Sequence, residues 1–264
     1  MPADRPMTLR DHLEELRKRL LITFVFMVVA TAAAFVYRGA IMDFLLAPGF
    51  GQLDKRPIAT EVMETVAVTF KITLMAGVVG VLPVVLYQLI MFVSPGLTRG
   101  ERIYLFLFLP GVLIAFAGGV AFGYYVLFPP AFRFLFTFGA ENVDAEIRIS
   151  SYINVLISLM FWMGVVFQIP LVLFGLGRLG VVTPRWLGRF RRVFIVLAFV
   201  AAAVITPTFD PVNQTMVAVP IIILYEVGIV LARYGQWLRR PRKVKEPKAP
   251  GRLRRAWRKV LRRR

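Results

Sequence analysis

The chain has 264 residues, of which 58% are hydrophobic and 18% charged, a balance too apolar for a single soluble core and suited to a lipid-facing protein. Its formal charge is +18, but residues 233–264 hold fifteen Lys/Arg against one acid, Glu246, so the excess is concentrated in a tail. With no Cys and a single His, disulfides, thiolate metal sites and cysteine nucleophiles are excluded.

The first element begins at Thr8, an N-cap with Asp11 in a variant of the capping box. Leu9, Leu13, Leu16 and Leu20 then repeat at helical spacing. This predicts an amphipathic helix at a membrane interface, over residues 1–19, running into the first span. No small-residue cleavage site follows the first apolar run, so that run is expected to be retained. Glu14 and Glu15 stand four residues ahead of Lys18 and Arg19, the favourable order for internal ion pairs. The competing reading is that Glu14, Glu15 and Glu101 receive a foreign cation, because few other acids lie on that face. The lone His12 has no metal-site company and reads as a surface or capping residue.

Long apolar runs without alternation must be helices, since in hydrocarbon every backbone N–H and C=O has to be paired internally. Six spans are expected across 20–232: Leu20–Tyr37, Thr69–Val93, Tyr104–Phe128, Tyr152–Leu176, Val193–Thr206 and Val212–Ala232. Pro83, Pro110, Pro170 and Pro220 fall within them and should kink them into a curved bundle. Gly118, Gly119 and Gly123 in the third span suit close helix packing. The fifth span has about 14 apolar residues, or ~21 Å against a ~30 Å core. Either it thins the bilayer or recruits partner helices, or Arg191 and Arg192 snorkel to restore its length. Spans five and six meet at Pro207-Thr208-Phe209-Asp210-Pro211, where Asp210 is a structural turn residue.

Placing the N-terminus in the cytosol puts 27 Lys/Arg on the cytosolic face and five on the other, with Lys71 inside a span. Both ends are therefore expected inside. Gln88, Gln168, Gln214 and Glu226 are polar groups within the spans, which normally face protein or water. For Glu226 the structural reading is a pair with Arg233, seven residues on; the functional reading is a face where another helix or an extended peptide docks. In the tail, residues 233–264, Leu253, Trp257, Val260 and Leu261 lie at helical spacing among arginines, a pattern for anionic lipid headgroups rather than nucleic acid.

Several motifs in order resemble one family. His12-Leu13-Glu14-Glu15-Leu16-Arg17-Lys18-Arg19-Leu20 is similar to the N-terminal signature of the twin-arginine translocase C subunit family, TatC. Leu86-Tyr87-Gln88, Phe92-Val93-Ser94-Pro95-Gly96-Leu97 with Glu101-Arg102, Tyr124 with Phe128-Pro129, Thr206-Pro207, Gln214 and Leu224-Tyr225-Glu226-Val227-Gly228 continue the resemblance. It implies an all-α, glove-like set of six helices in the cytoplasmic (inner) membrane, with no enzymatic activity, cofactor or metal. The implied role is to recognise the Arg-Arg pair in signal peptides of folded proteins, for export driven by the proton-motive force.

Through the resemblance, Glu15 and Glu101 bind that pair, and Arg17, Phe92, Pro95 and Leu97 shape the surface around it. Pro48 supports fold or assembly. Thr206 and Gln214 resemble a cluster where single-span TatA- and TatB-type partners dock, giving a role to short spans five and six, and self-association is expected. One position departs: Gln168, in Phe167-Gln168-Ile169-Pro170, stands where the family often has a buried Glu. A proton-coupled small-solute transporter is the alternative, motivated by Glu226 and the other intramembrane polar groups, although no repeat is visible. An intramembrane enzyme lacks a nucleophile with its base.

Overall fold

A computed structural model describes residues 9–51, 57–93, 99–137, 146–206 and 210–239, without the side chains of 9, 93, 99–107, 136, 137 and 239. The described residues form nine α-helices: α1 (Leu9–Val36), α2 (Arg38–Phe50), α3 (Glu64–Val93), α4 (Arg99–Phe122), α5 (Phe128–Thr137), α6 (Ile149–Val166), α7 (Ile169–Leu179), α8 (Pro184–Ile205) and α9 (Pro211–Arg239). A π-helical turn, Gly123–Leu127, joins α4 to α5. The only β pairing among the described residues is a parallel bridge between Ile58 and Arg148. The all-α expectation holds.

Among the described residues five stretches are long and apolar enough to cross a membrane: Arg10–Val36, Glu64–Phe92, Phe108–Leu135, Ile149–Leu179 and Pro211–Leu238. The predicted fifth span is not among them, and the reason lies in its composition. Helix α8 is 22 residues long, about 33 Å at ~1.5 Å per residue, but its first turns carry Arg185, Arg189, Arg191 and Arg192. The helix itself is long and only its apolar part is short. The sixth span is not short at all, because α9 runs 29 residues, and that expectation is corrected.

The prolines act in two ways. Pro83, Pro110 and Pro220 lie inside continuous helices, while Pro170 sits in the first turn of α7, just after the chain turns at Phe167 and Gln168. The sequence reading treated all four as kinks in unbroken spans. At Pro170 the helix instead ends and restarts, because the ring excludes the donor that continuation requires.

Helix α6 is the centre of the molecule. Its Ile153, Leu156 and Met163 are fully buried, as is Phe128 at the start of α5. Between apolar helices in lipid the attraction comes from close contact rather than water release, and glycine permits it where α4 crosses α6. A Cβ on Gly119 would lie 2.4 Å from the Met163 carbonyl oxygen, and one on Gly123 would lie 3.0 Å from that of Leu159. Gly118 faces only the Phe167 ring, at 4.0 Å. At the edge of the bundle α1 packs along α3, where a Cβ on Gly77 would strike Thr31.

Candidate functional site

Helix α1 turns its polar stripe inward. His12, Glu15, Leu16 and Arg19, spaced i, i+3, i+4, i+7, are half-buried, whereas Leu13 and Leu20 are 64% and 60% exposed. The sequence reading placed Leu9, Leu13, Leu16 and Leu20 on one apolar face; of these Leu13 and Leu20 point away from α3, and Leu9 carries no side-chain description. In lipid this orientation is the favourable one, since polar groups gain by facing protein and leucines lose nothing by facing acyl chains.

On the inward stripe Arg19 holds Glu15. Its Nε donates to Glu15 Oε1 at 3.0 Å and its Nη2 donates to the same oxygen. Its Nη1 donates to Gln88 Oε1 at 3.1 Å, across from α3. Glu15 Oε2 is buried with no hydrogen-bond partner among the described residues. One turn away His12 stacks on Phe92, with ring centroids 4.3 Å apart. Glu15, Gln88 and Phe92 thus come together between α1 and the end of α3, with Arg19 as the expected ion-pair partner of Glu15 and His12 as a neighbour the sequence does not place there. His12 was expected to be a surface or capping residue and instead packs against an aromatic ring.

Arg17 is exposed on the far side of α1, as an i, i+2 spacing requires on a helix with ~3.6 residues per turn. It does not join Glu15. Of the two predicted internal pairs, Glu15–Arg19 forms, while no ion pair joins Glu14 to Lys18 among the described contacts. Pro95 and Leu97 lie outside the described residues, as does Thr8, and Glu101 is described only as backbone in the first turn of α4.

The structural residues Pro48 and Tyr124 meet in one repair. Pro48 has no N–H, so the Phe44 carbonyl loses its helical donor. The Tyr124 hydroxyl, from the π-helical turn, donates to that oxygen. A second hydroxyl is inserted next to it: Tyr152 donates to the Leu45 carbonyl at 2.9 Å and accepts from Gly49 N–H at 3.1 Å. Gly49 has no side chain because Tyr152 occupies its place, 2.4 Å from where a Cβ would sit. Tyr152 carried no sequence signal beyond its aromatic type.

Gln168 bridges two helices. Its Nε2 donates to the carbonyls of Val112 in α4 and Gly164 in α6, each at 3.2 Å, and its Oε1 is buried without a partner among the described residues. Two carbonyl acceptors suit an amide NH₂; a carboxylate would repel both, and a protonated one could serve only one. A hydrogen-bonding role for Gln168 is therefore physically coherent without any charge.

At the turn into α9, Asp210 is the N-cap: its carboxylate accepts from Asn213 N at 2.6 Å and from Asn213 Nδ2 at 3.0 Å. With Pro211 at the first helical position this is a side-chain cap, both bonds donated by Asn213, that Asp-Pro-x-Asn could have announced. Thr206 is buried and donates to the Ala202 carbonyl at 2.7 Å; Gln214 Nε2 donates to the Phe199 carbonyl at 3.0 Å. The first closes the end of α8 upon itself, and the second ties α9 to α8. Glu226 accepts from Arg191 Nη2 at 2.7 Å. Its expected partner Arg233 is exposed; the antiparallel α8–α9 packing brings Arg191 closer than a residue two turns along the same helix.

The comparisons agree with this architecture. The family model described as Sec-independent protein translocase protein (TatC) matches residues 11–220. The chain belongs to the TatC family. It is 32% identical over 231 residues to the Sec-independent protein translocase protein TatC of Carboxydothermus hydrogenoformans, covering 88% of this chain and 95% of that one. It is 37% identical to the chloroplastic TATC of Arabidopsis thaliana, over 86% of this chain and 67% of the relative. A crystal structure titled twin arginine translocase receptor TatC superposes with a TM-score of 0.76 at 32% identity, covering 85% of this chain and 99% of that chain. The protein is thus a polytopic membrane member of a translocase family and not an enzyme, and the small-solute transporter reading finds no support in these matches.

Proposed function

We propose that this chain is the receptor subunit of a twin-arginine translocase and captures the Arg-Arg pair of signal peptides at its cytosolic face through Glu15 and Glu101. The observation that carries the proposal is Glu15: a carboxylate held on one oxygen, the other enclosed and without a hydrogen-bond partner among the described residues, between α1 and α3. Guanidinium groups make planar, charge-assisted bonds to carboxylates that a lysine ammonium reproduces poorly. Phe92, Pro95 and Leu97 would line the approach, while Arg17, on the opposite face of α1, would contact the peptide only from outside that groove.

In this reading α8 is the fifth of six spans, both termini are cytosolic in a cytoplasmic membrane, and the basic tail meets anionic headgroups. Thr206, Gln214 and Gln168 lie where TatA- and TatB-type single-span partners and a second copy of the chain would dock. Their internal bonds support a role in shaping that surface.

The test is a titration of the full-length chain in lipid nanodiscs with a fluorescent signal peptide. The Arg-Arg peptide should bind and its Lys-Lys version should bind roughly tenfold more weakly, a difference of about 1.4 kcal/mol. Equal binding of the two peptides, or unchanged binding after combined Glu15→Gln and Glu101→Gln substitution, overturns the assignment.

A further inference from the structure

We infer that Arg19 and Gln88 are positioning residues for recognition: they clamp one oxygen of Glu15 so that the other, enclosed and unpartnered, is left to pair with the incoming guanidinium. The inference rests on the receptor reading above and assigns the source of its preference for arginine.

A glutamate on a helix has three rotatable bonds and, left alone in a basic region, would sample many orientations. Here two N–H groups of Arg19 converge on Oε1, while Oε2 receives nothing among the described residues. Arg19 does not span the carboxylate from oxygen to oxygen, which would fill both. It is held side-on, and the contact that holds it is Gln88: the third donated bond, to Gln88 Oε1, anchors the guanidinium to α3. The side chains of Arg19 and Glu15 are only 17% and 20% exposed, so the pair is sheltered enough for geometry to matter.

Two roles for Arg19 make opposite predictions. As a competitor, it would occupy the acid that the peptide needs and place a like charge beside the arriving cation. Removing it would then tighten binding of any basic peptide. As a clamp, it fixes the direction in which the unpartnered Oε2 points, and removing it frees Glu15 to rotate. The side-on geometry and the bond to α3 favour the clamp. An ammonium has no fixed plane and is indifferent to that angle, whereas a planar guanidinium depends on it. The clamp therefore contributes discrimination more than bare affinity.

The experiment compares Arg-Arg and Lys-Lys peptides on the wild-type chain and on Arg19→Gln, Arg19→Lys and Gln88→Leu in nanodiscs, with thermal unfolding of each variant as a fold control. Arg19→Gln should weaken Arg-Arg binding roughly tenfold, the scale of losing a charge-assisted fork, and leave Lys-Lys binding unchanged, so the ratio collapses. Gln88→Leu should lower the ratio less. Arg19→Lys keeps the charge without the fork and should behave as Arg19→Gln. Tighter Arg-Arg binding in Arg19→Gln, an unchanged ratio, or parallel losses for both peptides overturns the clamp. A wild-type chain that does not prefer Arg-Arg overturns the receptor reading itself, so the two failures are distinct.

Discussion

Helices α1 and α6 differ in almost every respect that governs tolerance to change. None of the most apolar stretch of α1 is buried within the protein, against 39% of that in Ile149–Leu179. Helix α6 packs against α3, α4 and α8 with its Ile153, Leu156 and Met163 enclosed. Helix α1 touches chiefly α3, along one stripe, and turns Phe24, Val25, Val28 and Val29 outward. The polar groups of the candidate site lie on the edge helix. Residues there are free to serve chemistry because the fold asks little of them, whereas those along α6 are committed to packing.

Five substitutions would break or sharpen that contrast, beginning with the largest effect on stability. Gly119→Leu would drive a side chain into the Met163 backbone of α6, and should cost about 3 kcal/mol or prevent folding, as overpacking of a tight interface does. Monodispersity in detergent and the thermal midpoint report it. Next, Tyr152→Phe removes the hydroxyl inserted between Gly49 N–H and the Leu45 carbonyl. The expected loss is about 2 kcal/mol, from two buried backbone groups left without their partner. Combined with Tyr124→Phe it should be more than additive, because both hydroxyls stitch the same proline-broken helix; a double-mutant cycle on unfolding measures this.

Smaller still in stability is Arg191→Ala, which releases the half-exposed pair with Glu226. Chemical unfolding should register less than about 1 kcal/mol, the usual range for surface ion pairs. Glu15→Gln comes last: the unfolding midpoint should stay within about 0.5 kcal/mol of wild type, while peptide capture falls roughly tenfold. A large stability loss at Glu15, or none at Gly119, would undo the contrast between edge and centre.

How far the sequence foretold the site depends on how local each interaction is. Asp210 followed by Pro and, two residues later, Asn213 is a helix start written in adjacent letters, and the Glu15–Arg19 pair is a one-turn neighbour relation; both were legible. The neighbours of Glu226 were misread because one-turn logic looks along a helix, while Arg191 arrives from the antiparallel helix 35 positions away. Gln88 was grouped with intramembrane polar residues, and its bond to Arg19, 69 positions apart, depends on how α1 lies on α3.

By itself the sequence determined that the protein is helical, that it crosses a membrane several times, and that its cations are distributed unevenly between loops. Those properties follow from hydrophobic length and backbone pairing, which no tertiary contact can reverse. Only the tertiary structure decided which face of α1 turns inward, which tyrosines mend the break at Pro48, and which oxygen of Glu15 has no partner among the described residues. These are matters of rotation and approach between helices: a shift of about 100° at one residue, the angular step of an α-helix, exchanges the faces without changing the composition of either.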